Sequence, residues 1–126
     1  MFDNVSFVLI ARNESFGIQK ALSVLRNSCF REAEIILVDS GSVDDTSKYM
    51  EEFESKFSTC KHVKLTGALN ASIARNEGLR YATRKFCFFV DGDTEISIEF
   101  VQEALEFFNT NVDRIVTGKQ IGRAHV

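Results

Sequence analysis

The spacing of hydrophobic positions changes period along this chain, and the changes mark out alternating elements. Val5-Ser6-Phe7-Val8-Leu9-Ile10 is apolar at nearly every position, the pattern of a strand covered on both faces. After the polar stretch Arg12-Asn13-Glu14-Ser15, residues Ile18, Ala21, Leu22 and Leu25 recur at i, i+3, i+4, i+7 and predict an amphipathic helix. Glu34 to Val38 is a second buried strand. Asp39-Ser40-Gly41-Ser42 then makes a turn, and Asp44 or Asp45 caps a helix carrying Tyr49, Met50, Phe53 and Phe57. His62 to Leu65 is a short third strand, Ser72 to Thr83 a less regular helix, and Phe86 to Val90 a fourth buried strand. Val101, Ala104, Leu105 and Phe108 mark another helix, and Ile115-Val116-Thr117 begins a fifth strand. Strands apolar throughout and alternating with helices predict an α/β fold: a mostly parallel sheet with helices on both faces.

Composition refines this picture. At 126 residues the chain fits a single domain with a real core. The net charge of −3 comes without a basic stripe, which argues against a nucleic-acid polymer as partner. The run Val5 to Ala11 is far shorter than the ~20 residues of a membrane-spanning helix, and no basic segment precedes it as in a signal peptide. Cys29, Cys60 and Cys87 are odd in number and lack metal-ligand spacing, so they read as free buried thiols and point to a cytoplasmic setting. His62 and His125 show no ligand spacing. The stretch from Gln120 to Val126 has no periodicity, and its last six residues resemble the translation of a sequencing adapter. The expectation is therefore a domain over 1–119 and a non-native tail over 120–126.

In an open α/β sheet, ligands bind outside the carboxyl ends of the strands near a topological switch point. Three predicted strands end in polar residues: Ala11-Arg12-Asn13-Glu14, Asp39-Ser40-Gly41-Ser42 and Asp91-Gly92-Asp93. Parallel topology brings these ends to one edge. Two carboxylates separated by one glycine offer hard oxygens to a divalent cation, although the same residues also suit an ordinary Asp-Gly turn. An EF-hand loop starting at Asp91 would need glycine at Ile96 and glutamate at Gln102. Asp39 is placed to accept hydrogen bonds from a ribose or a base, but Ala11 to Gly17 lacks the glycine pattern of a dinucleotide site. Arg75 reads either as a nucleotide contact or as a paired surface group, and the 12 phenylalanines read as core.

Together the stretches VSFVLIARNE (Val5 to Glu14), EIILVDSGSVDDT (Glu34 to Thr46), NASIARNEG (Asn70 to Gly78) and FFVDGDT (Phe88 to Thr94) resemble the family 2 glycosyltransferases of the GT-A fold, in order and in spacing. The resemblance implies an incomplete Rossmann-like half that binds a nucleoside-diphosphate-sugar donor. It implies that Ala11, Glu14, Asp39, Arg75, Asp91 and Gly92 line the donor nucleotide site. It further implies that Asp93, with Asp91, holds a Mg²⁺ or Mn²⁺ bridging the diphosphate. The implied activity is inverting, metal-dependent transfer of the sugar to an acceptor hydroxyl, whose identity is left open. The family's general base lies later than residue 126 reaches, which makes the chain a donor-binding fragment with no catalytic base of its own. Ala11-Arg12 departs from the Pro-Thr-Tyr of many relatives. Two other readings are a non-catalytic nucleotide- or metal-binding module resembling a receiver domain, and a haloacid-dehalogenase-like phosphatase. The first wants its phosphoacceptor after the third strand. The second wants Thr or Val where Glu95 stands.

Overall fold

The computed structural model describes residues 2–66 and 70–110. Four strands alternate with four helices: β1 (Val5–Ala11), α1 (Ser15–Leu25), β2 (Glu34–Asp39), α2 (Thr46–Lys56), β3 (Cys60–Lys64), α3 (Ala71–Tyr81), β4 (Phe86–Asp91) and α4 (Ile98–Thr110), with one 3₁₀ turn at Ser28–Phe30. The expected fifth strand at Ile115 to Thr117, the domain end at Lys119 and the tail lie outside the described residues.

All strand pairs are parallel and the order is β3-β2-β1-β4. The chain steps outward from β1 through β2 to β3, then crosses back to the far side of β1. Parallel crossovers keep one hand, so reversing the direction of travel moves the connecting helix to the opposite face. The core divides accordingly. Val5, Phe7, Leu9, Ile35, Leu37, Phe88 and Val90 pack with residues of α1, α2 and α4. Val8, Ile10, Ile36, Val38 and Val63 face the other way, where Ala74 of α3 joins them. Every residue of β1 is buried, as its continuous apolar run predicts for the strand flanked on both edges and covered on both faces.

The third strand and the third helix depart most from the sequence pattern. The third strand begins two residues earlier than predicted, at Cys60, because an edge strand with only Val63 buried carries little hydrophobic signal. The third helix ends at Tyr81 rather than Thr83, and only Ala74 and Gly78 of it are buried. It packs through small residues, so it shows no apolar stripe. An added Cβ on Gly78 would overlap Val8 Cγ1 and lie 3.1 Å from Val38 Cγ2. All three cysteines are free, and each is half-buried rather than fully buried. Burial pushes the Cys60 thiol up to about 12 and that of Cys87 up to about 11, so both stay protonated at neutral pH.

Candidate active site at the switch point

The reversal of strand order sets the carboxyl ends of β1 and β4 side by side, and open α/β sheets bind ligands beyond the strand ends at such a point. A cavity of about 370 Å³ sits there, within the range of small-ligand sites. Its walls are the end of β1 (Ile10, Ala11, Arg12 and Glu14), Ser40 after β2, Asp91, Gly92 and Asp93 after β4, and the start of α3 (Asn70, Ala71, Ala74 and Arg75).

Five of the six residues expected at a donor site, Ala11, Glu14, Arg75, Asp91 and Gly92, share this one cavity with the expected metal ligand Asp93. Asp39 is placed differently. It is fully buried, one residue behind the cavity-lining Ser40, and is not itself among the lining residues. Its Oδ1 accepts from the Ser42 amide at 3.0 Å, whereas its Oδ2 is buried without a hydrogen-bond partner. A buried acceptor in that state is unsatisfied and costly. Arg12, Ser40, Asn70 and Ala71 were not singled out as site residues by sequence reasoning. Arg12 and Asn70 stand inside the stretches Ala-Arg-Asn-Glu and Asn-Ala-Ser that did carry signal. Ser40 and Ala71 also stand inside quoted stretches, Asp-Ser-Gly-Ser and Asn-Ala-Ser, but a turn serine and an alanine carry no distinctive chemistry of their own.

Two loops are laced together to hold the β1 side of the site. Asn13, at φ 51°, takes a left-handed conformation that asparagine tolerates better than most residues. Its amide donates to Ser42 Oγ at 2.9 Å, and its Oδ1 accepts from the Val43 amide at 2.8 Å. The Glu14 amide donates to Thr46 Oγ1, which in turn donates to Asp44 Oδ1 at 2.5 Å. Asp44 also accepts from the amides of Thr46 and Ser15, so it serves the starts of both α1 and α2. Asp45, the residue at the N-cap position of α2, makes no capping bond with its side chain. The Thr46 hydroxyl and amide bonds, with the Ser15 amide, hold the Asp44 carboxyl below its ordinary value.

Across the cavity, Arg75 Nη2 pairs with Asp91 Oδ1 at 3.3 Å, both side chains being partly exposed. Asp93 is exposed and has no hydrogen bond or ion pair among the described residues. The lining therefore holds three carboxylates against two guanidinium groups, one of them already engaged. No cluster of three or more His, Cys, Asp or Glu able to hold a metal occurs among the described residues. One or two carboxylates completed by substrate phosphates is nonetheless how Mg²⁺ is usually bound. Asp91 Oδ2 and the Asp93 carboxylate fit that arrangement.

Known proteins share the sequence pattern and the fold that carry this cavity. The profile of the family described as "Glycosyl transferase family 2" matches residues 6–124. A poly-beta-1,6-N-acetyl-D-glucosamine synthase from Staphylococcus epidermidis is 32% identical over 109 residues, covering 86% of this chain and 26% of that protein. The crystal structure of S. aureus TarS 1-349 superposes with a TM-score of 0.71 at 25% identity, over 85% of this chain and 32% of TarS. A further structure of TarS 1-349 is a complex with UDP-GlcNAc. The mannosyltransferase PcManGT from Pyrobaculum calidifontis, in complex with GDP-Man and Mn2+, shares the fold at TM-score 0.72 and 22% identity, over 83% of this chain and 32% of its own. The neighbours are GT-A glycosyltransferases with a Rossmann-like fold, and this chain spans about a quarter to a third of the length of such proteins. With a switch-point cavity, an Asp-Gly-Asp turn on its lip and a family match over nearly its whole length, the chain belongs to glycosyl transferase family 2.

Proposed function

We propose that this chain is the donor-binding part of an inverting, metal-dependent glycosyltransferase, residues 1–119 forming that part. The donor is a nucleoside-diphosphate sugar, the class of ligand held by the TarS and PcManGT structures. One observation carries the metal dependence: the charge of the cavity wall. Glu14, Asp91 and Asp93 face Arg12 and Arg75, and Arg75 is occupied by Asp91. A diphosphate brought against such a wall meets carboxylates, and each like-charge pair at 4 Å costs about 4 kcal/mol at an effective dielectric of 20. A Mg²⁺ or Mn²⁺ held by Asp93 and Asp91 would offset that repulsion and act as a Lewis acid for the departing diphosphate.

The chain's own residues have separate tasks. The start of α3, at Ala71 behind its Asn70 cap, presents backbone N–H groups and the positive end of the helix dipole to a phosphate. Arg75 and Arg12 supply cationic hydrogen-bond donors from opposite walls. Asp39, although behind the lining, is the acceptor for an N–H or O–H of the nucleoside because its Oδ2 has no partner, and it is reached when the turn at Ser40 gives way; Ala11 and Glu14 line the cavity itself. Inversion follows when an acceptor hydroxyl attacks the anomeric carbon from the face opposite the leaving diphosphate. None of the described carboxylates is assigned the base for that hydroxyl. A cytoplasmic location fits the three free thiols.

Calorimetric titration of UDP and GDP, with Mn²⁺ and then with EDTA, tests this reading. Binding should strengthen with the cation. Asp93→Ala should remove that gain, and Asp39→Ala should weaken nucleotide binding with or without metal. Equally strong binding in EDTA overturns the metal-dependent site.

A further inference from the structure

Helix α1 carries a glycine where its own stability disfavours one. Gly17 is the third residue of Ser15–Leu25, and glycine is a weaker helix former than alanine. Its φ is not positive, so backbone conformation does not demand it. Neighbouring backbone does. A Cβ at Gly17 would lie 2.9 Å from the carbonyl oxygen of Gly92 and 3.3 Å from Asp93 Cα, with Glu14 Oε2 at 3.5 Å. The two nearest obstacles are main-chain atoms, which cannot rotate aside as the end of a side chain can. From the other side, a Cβ on Gly92 would lie 2.7 Å from Ala11 Cβ and 3.3 Å from the Ile10 carbonyl oxygen. The Asp91-Gly92-Asp93 turn thus occupies a slot with α1 as one wall and the end of β1 as the other. The Thr94 amide closes the turn onto the Asp91 carbonyl at 2.9 Å, so a push at Gly92 moves the turn as a unit.

We propose that Gly17 is a positioning residue for Asp93, its missing side chain setting where the Asp93 carboxylate stands in the cavity. Asp93 has no side-chain partner among the described residues, so the backbone beneath it decides its place. This inference rests on the reading of Asp93 as a cation ligand and adds to it a determinant on a different element. Gly17→Ala and Gly17→Ser both add a Cβ at the contact while keeping the helix, and alanine also improves its propensity.

Three readouts in the 126-residue chain test it: the apo amide resonances of Gly92 and Asp93, the gain in UDP affinity on adding Mn²⁺, and the thermal midpoint. Both variants should move the Gly92 and Asp93 resonances. They should reduce the Mn²⁺ gain about tenfold or more, the usual scale for disturbing the support of a metal ligand. UDP affinity in EDTA and the midpoint of Gly17→Ala should hold. An undiminished Mn²⁺ gain in both variants, or a collapse of the fold with parallel loss of all UDP binding, overturns the proposal and leaves Gly17 a packing residue. A parent chain that binds neither UDP nor GDP with Mn²⁺ defeats the donor-site reading instead. The apo resonances then decide by themselves whether residue 17 sets the turn.

Discussion

Single carboxylates do unlike work in this chain, and the sequence exposes only some of it. Asp91 and Asp93 are legible because acids directly after an apolar strand stand out in a predicted parallel sheet. Asp39 obeys the same rule yet turns inward, since one oxygen caps the turn at Ser42 and the other is buried without a partner. The sequence pattern places Glu34 only at the start of a strand. Its Oε1 accepts from Ser6 Oγ at 2.6 Å and the Thr83 amide at 2.7 Å, and its Oε2 from Thr83 Oγ1 at 2.8 Å. Its partners lie far off in sequence, which is why no local pattern announced it. Burial pushes the Glu34 carboxyl up, but the bonds from Ser6 and Thr83, with Arg84 nearby, outweigh that and hold it below its ordinary value. A carboxyl lowered in the folded state adds stability above its unfolded value, about 4.5, and that stability is lost as pH falls through the lower folded value. Urea midpoints of the parent chain should therefore drop on acidification below about pH 4.5, and Glu34→Gln should show a shallower drop. At pH 7 the variant should lose about 1.5–3 kcal/mol, the scale of a hydrogen bond to a charged group. An equal acid dependence in both proteins would refute this.

Among the elements, β1 and β2 are legible almost to the residue because burial on both faces leaves long apolar runs, and β4 because its run is apolar throughout although only Phe88 and Val90 of it are fully buried. The less amphipathic α3 was placed but not delimited, and its contact residues explain why. Ala74 and Gly78 are its buried positions, and close approach to Val8 and Val38 replaces bulk. Adding a methyl there overfills a packed interface, which costs typically 1–3 kcal/mol, against about 1 kcal/mol gained from helix propensity. Gly78→Ala should thus lower the denaturation midpoint on balance, whereas Gly17→Ala should not. Two alanine substitutions in two helices then separate a glycine that seats a helix from one that seats a loop. A midpoint for Gly78→Ala at or above the parent's would show that α3 can slide outward at little cost.

For the whole molecule, the coverage of relatives sets the expectation. The chain spans 26% of the poly-beta-1,6-N-acetyl-D-glucosamine synthase it resembles and 32% of TarS 1-349, and the donor-binding role proposed above assigns it no acceptor pocket. The 126-residue chain should bind donor nucleotide yet transfer no sugar to an acceptor, and a robust transfer rate would refute its status as the donor-binding part. Slow hydrolysis of the donor would not, because water needs less positioning than an acceptor hydroxyl. The strand order also has a consequence for how the molecule comes into being. Strand β1 pairs with β2 and β2 with β3 as each successor is made, but β4 must return to β1, Val5 meeting Phe86. The cavity needs both of those strand ends, so the longest loop closure in the sheet is also the one that creates it. During synthesis, a nascent chain that has emerged only as far as β3 holds most of its sheet and no donor cavity. If the chain binds donor as proposed, nucleotide binding reports the β1–β4 pairing, and donor stabilises only chains that have completed it.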